Sequence, residues 1–373
     1  MDKMDNGESE NPQYLTDQLI TYIGNKRALL GFIAEGLDRV RARLGKEQVS
    51  TFDVFSGSGI VSRFLKKYSS HLIVNDLENY ASIINHCYLA NRETLNLSQL
   101  GEIYTDLVAK LDTETLEQGL IAERYAPKDD EHILHGERAF YTNRNARYLD
   151  TARVLVAEIP EALQCYFLAP LLAEASVHAN TSGVFKGFYK NSATGIGQFG
   201  GRKGDALIRI RGDISMPFPV FSNFSCETSI FSGDANVICE EAPEVDVAYL
   251  DPPYNQHPYG SNYFMLNLLT DYKTPETVSV ISGIPSDWNR SAFNRKKDAT
   301  TALTDLAKKI RAKYLIISFN SEGFISLKDM TELLSQIGKT EILETKYNAF
   351  RGSRNLSGRG IHVKEYLYLV EKY

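Results

Sequence analysis

The tetrapeptide Asp251-Pro252-Pro253-Tyr254 contains the groups needed to hold a planar amino group for reaction. The Asp251 carboxylate can accept one N–H of such a group and the Pro252 carbonyl can accept the other. Two acceptors pull the nitrogen toward tetrahedral geometry and expose its lone pair to an electrophile. The prolines stiffen this backbone, and Tyr254 offers a flat face on which a base can stack. A proline turn beside a core tyrosine is the alternative interpretation.

A glycine-rich loop, FSGSG (55–59), follows the apolar run TFDV. Its glycines allow a tight turn and a close approach of the backbone to a ligand. Asp76 ends the next apolar run about twenty residues later, where a carboxylate can accept hydrogen bonds from both ribose hydroxyls of a nucleoside. The third glycine of the dinucleotide fingerprint is missing, which disfavours NAD. A helix cap is the alternative role for Asp76.

A third segment, YIGNKR (22–27), combines an aromatic residue, a Gly-Asn turn and a lysine. Taken alone, it indicates only the entry to a helix with a surface lysine. Its interest depends on the two motifs that follow it along the chain.

The elements that must position these motifs alternate between short apolar runs and helical patterns, which predicts an α/β fold. The carboxyl ends of parallel strands meet at one sheet edge, so the glycine loop and the tetrapeptide should face one crevice. A long interruption between them predicts a large insertion. The predicted strands are 51–59, 71–77, 245–251, 313–320 and 365–372, and the clearest predicted helices are 16–43 and 151–178.

Composition indicates a globular cytoplasmic protein rather than a membrane or secreted one. The 373 residues are 43% hydrophobic, but no apolar run approaches the roughly 20 residues that span a bilayer. The polar N-terminus lacks the features of a signal peptide. The four cysteines form no CxxC pair, which predicts reduced thiols and no metal site.

The net charge of −6 does not favour nucleic-acid binding, yet three stretches are basic. Residues 181–219 carry +4, and residues 293–313 and 345–364 carry +5 each. Each stretch alone is typical of a solvated face, but together they make a phosphate-facing surface plausible.

In their order along the chain, these motifs resemble the Dam-like (alpha-group) N6-adenine-specific DNA methyltransferases, restriction-modification branch. The family order is an aromatic-x-Gly-x-Lys segment, FxGxG, an acidic strand end, a recognition insert and DPPY. The stretches NQHPYGSNY (255–263) and NTSGVFKGFYK (180–190) also resemble family segments. Tyr22 and Asn25 stand where closer Dam relatives often have Trp and Gly.

The resemblance implies a Rossmann-like S-adenosylmethionine-dependent methyltransferase fold with an inserted DNA-recognition domain. It implies a disordered tail at 1–15, a catalytic domain at 16–100 and 221–373, and a largely helical recognition region at 101–220. The activity implied is transfer of a methyl group to the exocyclic amino group of a flipped-out adenine in duplex DNA.

Site residues carry over position by position. The resemblance places Tyr22 and Lys26 at the methionine end of the cofactor, Asp76 at its ribose and Asp234 near its adenine. The remaining cofactor contacts implied are Phe55, Gly57, Gly59 and Asp251. The catalytic set implied is Asp251, Pro252, Pro253 and Tyr254. The basic residues Arg202, Lys203, Arg209, Arg211, Arg351 and Arg354 are candidates for phosphate or guanine contacts.

The partners implied are double-stranded DNA and a cognate restriction endonuclease, with no membrane and no metal, for a monomer or weak dimer. Two alternatives remain open. An RNA or protein amide methyltransferase also holds a planar NH2 group between two acceptors, usually with Asn in place of Asp251. A non-catalytic DNA-binding protein that retains the fold is the other alternative, although the intact motifs argue against it.

Overall fold

The computed structural model describes residues 9–201, 204–348 and 362–373. Within these residues, seven strands form one sheet in the order β3-β2-β1-β4-β5-β7-β6. Strands β1 to β5 run parallel, and β7 is antiparallel to both β5 and β6. The strands are β1 Val49–Asp53, β2 Ser69–Asp76, β3 Glu227–Ser232, β4 Val245–Leu250, β5 Ala312–Asn320, β6 Gly338–Asn348 and β7 His362–Lys372.

Helices cover both faces of this sheet and fill the long connection between β2 and β3. The α-helices of the described residues are α1 Pro12–Thr16, α2 Leu30–Leu44, α3 Ile60–Leu65, α4 Asn79–Tyr88, α5 Leu97–Thr113, α6 Leu120–Tyr125, α7 Asn143–Ala157, α8 Glu161–Val177, α9 Leu207–Arg211, α10 Ala235–Glu241, α11 Tyr259–Asn262, α12 Phe264–Asp271, α13 Ala299–Lys309 and α14 Leu327–Ser335. The 3-10 helices are Arg27–Leu29, Lys66–Tyr68, Arg92–Thr94 and Ala292–Asn294.

The five predicted strands are confirmed, and the two strands absent from the prediction are the two edges of the sheet. The central strand β4 is buried along its whole length, so its sequence is continuously apolar apart from Asp246. In contrast, β3 is exposed or half-buried, and β6 is mostly polar and charged, with Ile342 and Leu343 as an adjacent apolar pair. Edge strands bury one face or neither, so their sequences lack the apolar run that marks a buried parallel strand.

Strand order reverses between β1 and β4, because the chain leaves β1 toward β2 on one side while β4 pairs with β1 on the other. A crevice opens outside the carboxyl ends of the strands at such a switch point. Asp53 ends β1, Asp76 ends β2 and Asp251 follows β4, so three carboxylates lie at this edge.

The predicted helix over 16–43 is wrong in its first half. Helix α2 begins at Leu30, and a 3-10 turn precedes it at Arg27–Leu29. Gly24 has a φ of +75°, which interrupts the helical pattern before the turn. The segment YIGNKR (22–27) is therefore not part of α2, and it places Tyr22 and Lys26 at the sheet edge.

The predicted disordered tail is also too long. Residues 1–8 lie outside the described residues, but α1 forms at Pro12–Thr16 with Asn11 as its N-cap. Tyr14 is 1% exposed, and its hydroxyl donates a hydrogen bond of 2.6 Å to the Tyr88 carbonyl. The apolar body of one tyrosine thus anchors this end of the chain.

The region predicted as a recognition insert shares a core with the sheet helices. Helix α8 packs against α4 and α12, and its residues Leu168 and Leu172 belong to the same buried cluster as Tyr80 and Phe264. No helix of the described residues is both long and apolar enough to cross a membrane. Across the same residues, no cluster of His, Cys, Asp and Glu is arranged to hold a metal ion.

Candidate active site

One cleft of about 860 Å³ of empty space, its open mouth included, lies at the switch point of the sheet. The structure brings together in this lining most of the residues singled out from the sequence. Those in the lining are Tyr22, Lys26, Phe55, Gly57, Asp76, Asp234, Asp251 and Pro253. The cleft lining does not include Gly59, Pro252 or Tyr254.

The glycine loop is built so that a ligand can approach its backbone. Gly57 has a φ of +51°, and a Cβ at this position would lie 2.8 Å from a ring carbon of Tyr22. Its N–H donates a hydrogen bond of 2.7 Å to Asp76. Gly59, with a φ of +73°, is the N-cap of α3 and turns the chain into that helix. Both positions therefore require the glycine conformation.

Asp76 is fixed by the backbone around it. One carboxylate oxygen accepts the Gly57 N–H, and the other accepts the Glu78 N–H at 2.9 Å. Burial raises the pKa of Asp76 above its ordinary value, while these backbone donors act in the opposite direction. A carboxylate has more acceptor positions than these two N–H groups fill, so Asp76 can still accept from a ligand.

Asp251 follows the buried strand β4 and faces a buried lysine. The Lys26 ammonium lies 3.2 Å from Asp251 Oδ1, and Lys26 is 3% exposed. No aligned hydrogen-bond donor reaches Oδ1 from the described residues. Burial raises the pKa of Asp251 to about 6, although the Lys26 ammonium opposes the shift. The carboxylate is thus ionised at neutral pH and keeps an acceptor oxygen for a further donor.

Of the other residues of the tetrapeptide, Pro253 lines the cleft, whereas Pro252 and Tyr254 adjoin it. The Tyr254 ring meets the ring of Phe319 edge-on at 5.5 Å, and the Lys26 ammonium lies 5.5 Å from its centroid. The Tyr254 carbonyl accepts a hydrogen bond from the Phe324 N–H at 3.0 Å. Contacts to β5 and the loop after it therefore set the orientation of this ring.

Two tyrosines that follow the tetrapeptide clamp the YIGNKR segment. Ile23 donates its N–H to the Tyr263 hydroxyl at 2.7 Å and accepts from the Tyr259 hydroxyl at 3.1 Å. The Tyr22 ring stacks on both, with centroid distances of 4.9 Å to Tyr259 and 4.8 Å to Tyr263. These contacts give both tyrosines a structural role, and Tyr259 also lines the cleft.

Asp234 lies at the rim of the cleft and begins α10. Its side chain accepts the Asn236 N–H at 2.9 Å as an N-cap. The preceding residue, Gly233, donates its N–H to the Asp76 carbonyl. The capping role and the place in the cleft lining coexist, because a capping carboxylate keeps a free acceptor oxygen.

One side of the cleft is covered by a segment that was not predicted from the sequence. Asn289 and Phe293 belong to the lining, and the Phe293 ring meets the Phe55 ring edge-on at 5.1 Å. The amide of Asn289 donates to the Leu77 carbonyl at 3.1 Å and to Glu78 at 3.2 Å. No strand or glycine motif marks this stretch, so only the fold reveals it.

Glu78 was also missed, although it lies two residues after Asp76. It is 3% exposed and belongs to the cleft lining. Burial and the neighbouring Asp76 raise the pKa of Glu78 to about 7, against the effect of the Asn267 and Asn289 amides. The sequence signal that could have identified Glu78 is that it is the second acidic residue of the segment NDLE (75–78).

The residues predicted to contact DNA separate into three groups. Arg202, Lys203, Arg351 and Arg354 lie outside the described residues. Arg211 is 44% exposed and pairs with Glu131 at 2.9 Å. Arg209 donates to the carbonyls of Val177 and Ala179 at the end of α8. These bonds hold the Arg209 guanidinium at the end of α8, which favours a capping role over the predicted DNA contact.

The basic stretch 293–313 divides into two parts: Arg295, Lys296 and Lys297 are exposed and directly follow the lining residue Asn294, whereas the second part lies away from the cleft. Lys308 to Lys313 lie before or at the start of β5, and the cleft lies at the carboxyl end of the parallel strands. Lys309 pairs with Glu240 at 2.8 Å, and Lys313 pairs with Asp246 at 3.1 Å. Only the first part of this stretch therefore stays a candidate for a phosphate-facing surface beside the cleft.

The sheet order, the switch-point cleft and the tetrapeptide beside it define a Rossmann-like methyltransferase acting on an amino group. The family model of the D12 class N6 adenine-specific DNA methyltransferases matches residues 22–333, and this chain belongs to that family. The resemblance stated from the sequence is thereby confirmed, and with it an enzyme that methylates DNA adenine.

Known methyltransferases match nearly the whole of this chain at low identity. The chain is 28% identical over 363 residues to the type II methyltransferase M.NlaIII of Neisseria lactamica, covering 95% of this chain and 99% of that one. It is 29% identical over 359 residues to M.CviAII of Paramecium bursaria Chlorella virus 1, covering 94% and 98%. Against M.FokI of Planomicrobium okeanokoites the identity is 25%, over 94% of this chain and 52% of the relative.

Proposed function

We propose that this enzyme transfers the methyl group of S-adenosylmethionine to N6 of an adenine flipped out of duplex DNA, as the modification methyltransferase of a type II restriction-modification system. The observation that carries the proposal is the shared cleft: Asp251 and Pro253 line it together with Gly57 and Asp76. The names of the relatives support the type II assignment.

The residues of the cleft fit the cofactor. Gly57 packs directly against the Tyr22 ring, where a Cβ would lie 2.8 Å from a ring carbon, and both residues line the cleft. Asp76 retains acceptor capacity for ribose hydroxyls, and Phe55 and Phe293 offer apolar walls. The carboxylates of Asp76, Glu78, Asp234 and Asp251 in the lining suit a cationic ligand. When bound, the cofactor supplies an electrophilic methyl group on a sulfonium.

The chain's own residues prepare the acceptor nitrogen. Asp251 accepts one N–H of the adenine amino group and the Pro252 carbonyl accepts the other, so the nitrogen lone pair turns toward the methyl group. The Asp251 charge stabilises the positive charge that develops on the nitrogen and can take up the proton that leaves. The Tyr254 ring, held by Phe319, stacks on the extruded base.

We assign the reading of DNA sequence to the region 101–220 and to the basic residues Arg202, Lys203, Arg211, Arg351 and Arg354. The proposal includes a cognate restriction endonuclease as a functional partner, a monomer or weak dimer as the active form and the cytoplasm as the site of action. Arg209 is excluded because its guanidinium caps α8.

Labelled methyl transfer tests the proposal directly. The purified chain is incubated with S-adenosylmethionine carrying a labelled methyl group and with duplex DNA or total RNA, and the modified nucleoside is identified by mass spectrometry. We expect N6-methyladenine in DNA at one short recognition sequence, mapped by single-molecule sequencing. Label in RNA alone, or cofactor binding without transfer to either nucleic acid, would exclude the proposed function.

A further inference from the structure

The catalytic edge contains a buried carboxylate that no motif identifies. Glu365 lies on β7, beyond the residues that the family model matches, and it is 0% exposed. Its Oε1 accepts a hydrogen bond from the Lys26 ammonium at 2.7 Å and another from the Ser318 hydroxyl at 2.6 Å. Lys26 is the same ammonium that lies 3.2 Å from Asp251.

We propose that Glu365 is a positioning residue for methyl transfer: through Lys26 it fixes Asp251 and keeps the catalytic carboxylate from being neutralised by its own lysine. The proposal rests on the proposed function of Asp251. It assigns a role to a residue outside the tetrapeptide, the glycine loop and the acidic strand end.

The combined charge of Asp251, Lys26 and Glu365 supports this role. Asp251 with Lys26 alone would form a neutral pair, and a neutral pair is a weak acceptor for a nitrogen that becomes positive during the reaction. Adding the Glu365 carboxylate gives the three groups a net charge of −1. The ammonium is then shared, with its shorter contact to Glu365 rather than to Asp251.

The way in which the buried Lys26 ammonium is held also supports this role. Burying an ammonium beside one carboxylate costs free energy that well-placed partners must offset. Burial alone would lower the pKa of Lys26, but Asp251 and then Glu365 raise it well above its ordinary value. Ser318 on β5 and Glu365 on β7 belong to paired antiparallel strands, so the sheet itself holds the lysine in place.

Several ionisable groups lie around Asp251, and each of them influences its pKa. Burial and the Glu365 carboxylate raise the pKa of Asp251, whereas Lys26 lowers it. Removal of the Glu365 charge therefore moves that pKa downward, because a repulsion disappears and Lys26 pairs with Asp251 alone. Further titratable groups around Asp251 are Asp53 at the end of β1, Tyr249 on β4 and Tyr259 on α11.

The test compares Glu365→Gln with the wild-type enzyme in methyl transfer to duplex DNA across pH 5–9. We expect kcat to fall by up to about 10²-fold, as for a misplaced catalytic group. The acid limb of the pH profile, where kcat falls as the pH is lowered, should move to lower pH. The KM for S-adenosylmethionine and the melting temperature should stay near their wild-type values. A disrupted site that admits water would weaken cofactor binding too, so an unchanged KM separates positioning from collapse.

Matched variants complete the test. Glu344→Gln removes the same group from β6, where Glu344 pairs with Lys364 at the surface, and should leave kcat and its pH profile unchanged. Glu365→Asp keeps the charge, so its acid limb should stay at the wild-type pH while kcat falls. If Glu365→Gln does not fold, Glu365→Asp decides, and wild-type turnover in it overturns the proposal.

The inference is also overturned if a folded Glu365→Gln enzyme has wild-type turnover and the acid limb of its pH profile does not move. That result would leave the proposed function intact. Failure of the proposed function is recognised separately, because the wild-type enzyme itself would then transfer no methyl group to DNA.

Discussion

At the scale of single residues, the site depends on a carboxylate held between opposing electrostatic effects. Burial at the end of β4 disfavours the charged form of Asp251, and the Lys26 ammonium at 3.2 Å favours it. The result is a group that is ionised at neutral pH yet poorly solvated. Such an acceptor interacts strongly with a developing positive charge because little water screens it.

Replacing this carboxylate tests its role. Asp251→Asn keeps the shape and removes the charge, so we expect kcat to fall by about 10²–10³-fold, with a folded protein that still binds cofactor. Asp246→Asn is a matched control on the same strand, paired with Lys46 and Lys313 at the opposite end of β4. It should cost stability but not turnover. Near-normal kcat in Asp251→Asn would contradict the mechanism.

The pH profile follows from the same group. The pKa of Asp251 is raised to about 6 by burial, and the ionised form is the acceptor. We therefore expect kcat to be fully present above that pH and to be lost as pH falls through about 6. The measurement is initial rate at saturating DNA and cofactor, with circular dichroism at each pH to confirm that the fold persists. A kcat constant down to pH 4 would exclude Asp251 as the acceptor.

Gly57 provides a prediction on cofactor binding. An alanine there must adopt a φ of +51° and bring its Cβ to 2.8 Å from Tyr22. We expect Gly57→Ala to weaken S-adenosylmethionine binding by at least about tenfold, since strain of roughly 1–2 kcal/mol adds to the clash. Trp288, the single tryptophan, precedes the lining residue Asn289 and gives a fluorescence signal for the titration. Gly187→Ala, with open space around the Cβ, is the control.

At the scale of elements, the segment before α2 is held in place by side chains from another part of the chain. Tyr259 and Tyr263 contact both backbone groups of Ile23 and stack on Tyr22. The Lys26 ammonium then reaches Asp251 from this anchored segment. Local propensity would have extended α2 backward, and tertiary hydrogen bonds override it.

Loss of the clamp should therefore weaken both stability and cofactor binding. Tyr263→Phe leaves the Ile23 N–H without its acceptor, which costs about 1–3 kcal/mol in the free energy of unfolding. We expect a raised KM for S-adenosylmethionine in the same variant, because the lining residue Tyr22 loses the support of the Tyr263 ring. Urea denaturation and steady-state kinetics measure the two effects. Tyr373→Phe, at the exposed end of β7, should change neither.

At the scale of the whole molecule, the region between β2 and β3 is not an appendage to the sheet domain. Its helix α8 buries Leu168 and Leu172 against α4 and α12, and the cluster that they join extends to Tyr14. A surface proposed to read DNA thus shares its core with the helices that support the cleft.

A single substitution in that shared core should lower the stability of the whole chain. Leu172 is fully buried in α8, and Leu172→Ala should cost about 2–5 kcal/mol through the cavity it leaves. We expect urea denaturation followed by Trp288 fluorescence and by far-ultraviolet circular dichroism to show one coincident transition, shifted to lower urea. Two separated transitions would indicate that the region 101–220 unfolds independently. Leu327→Ala, partly exposed at the start of α14, is the milder control.

Much of this architecture could be predicted from the sequence. Buried parallel strands are continuous apolar runs, and β1, β2, β4, β5 and β7 were recognisable for that reason. The motifs at the strand ends indicated one crevice, and the family followed from their order. In contrast, the edge strands β3 and β6 carry no such run, so they escaped prediction.

Sequence alone determined which residues form the chemical motifs, because Gly57, Asp76 and the DPPY tetrapeptide are contiguous signals tied to strand ends. Only the tertiary structure decided which partners surround them. Lys26 and Glu365 are 339 residues apart and meet at 2.7 Å, and Phe293 reaches Phe55 across the cleft. Contacts between distant segments depend on how helices and strands pack, and no local pattern encodes that packing.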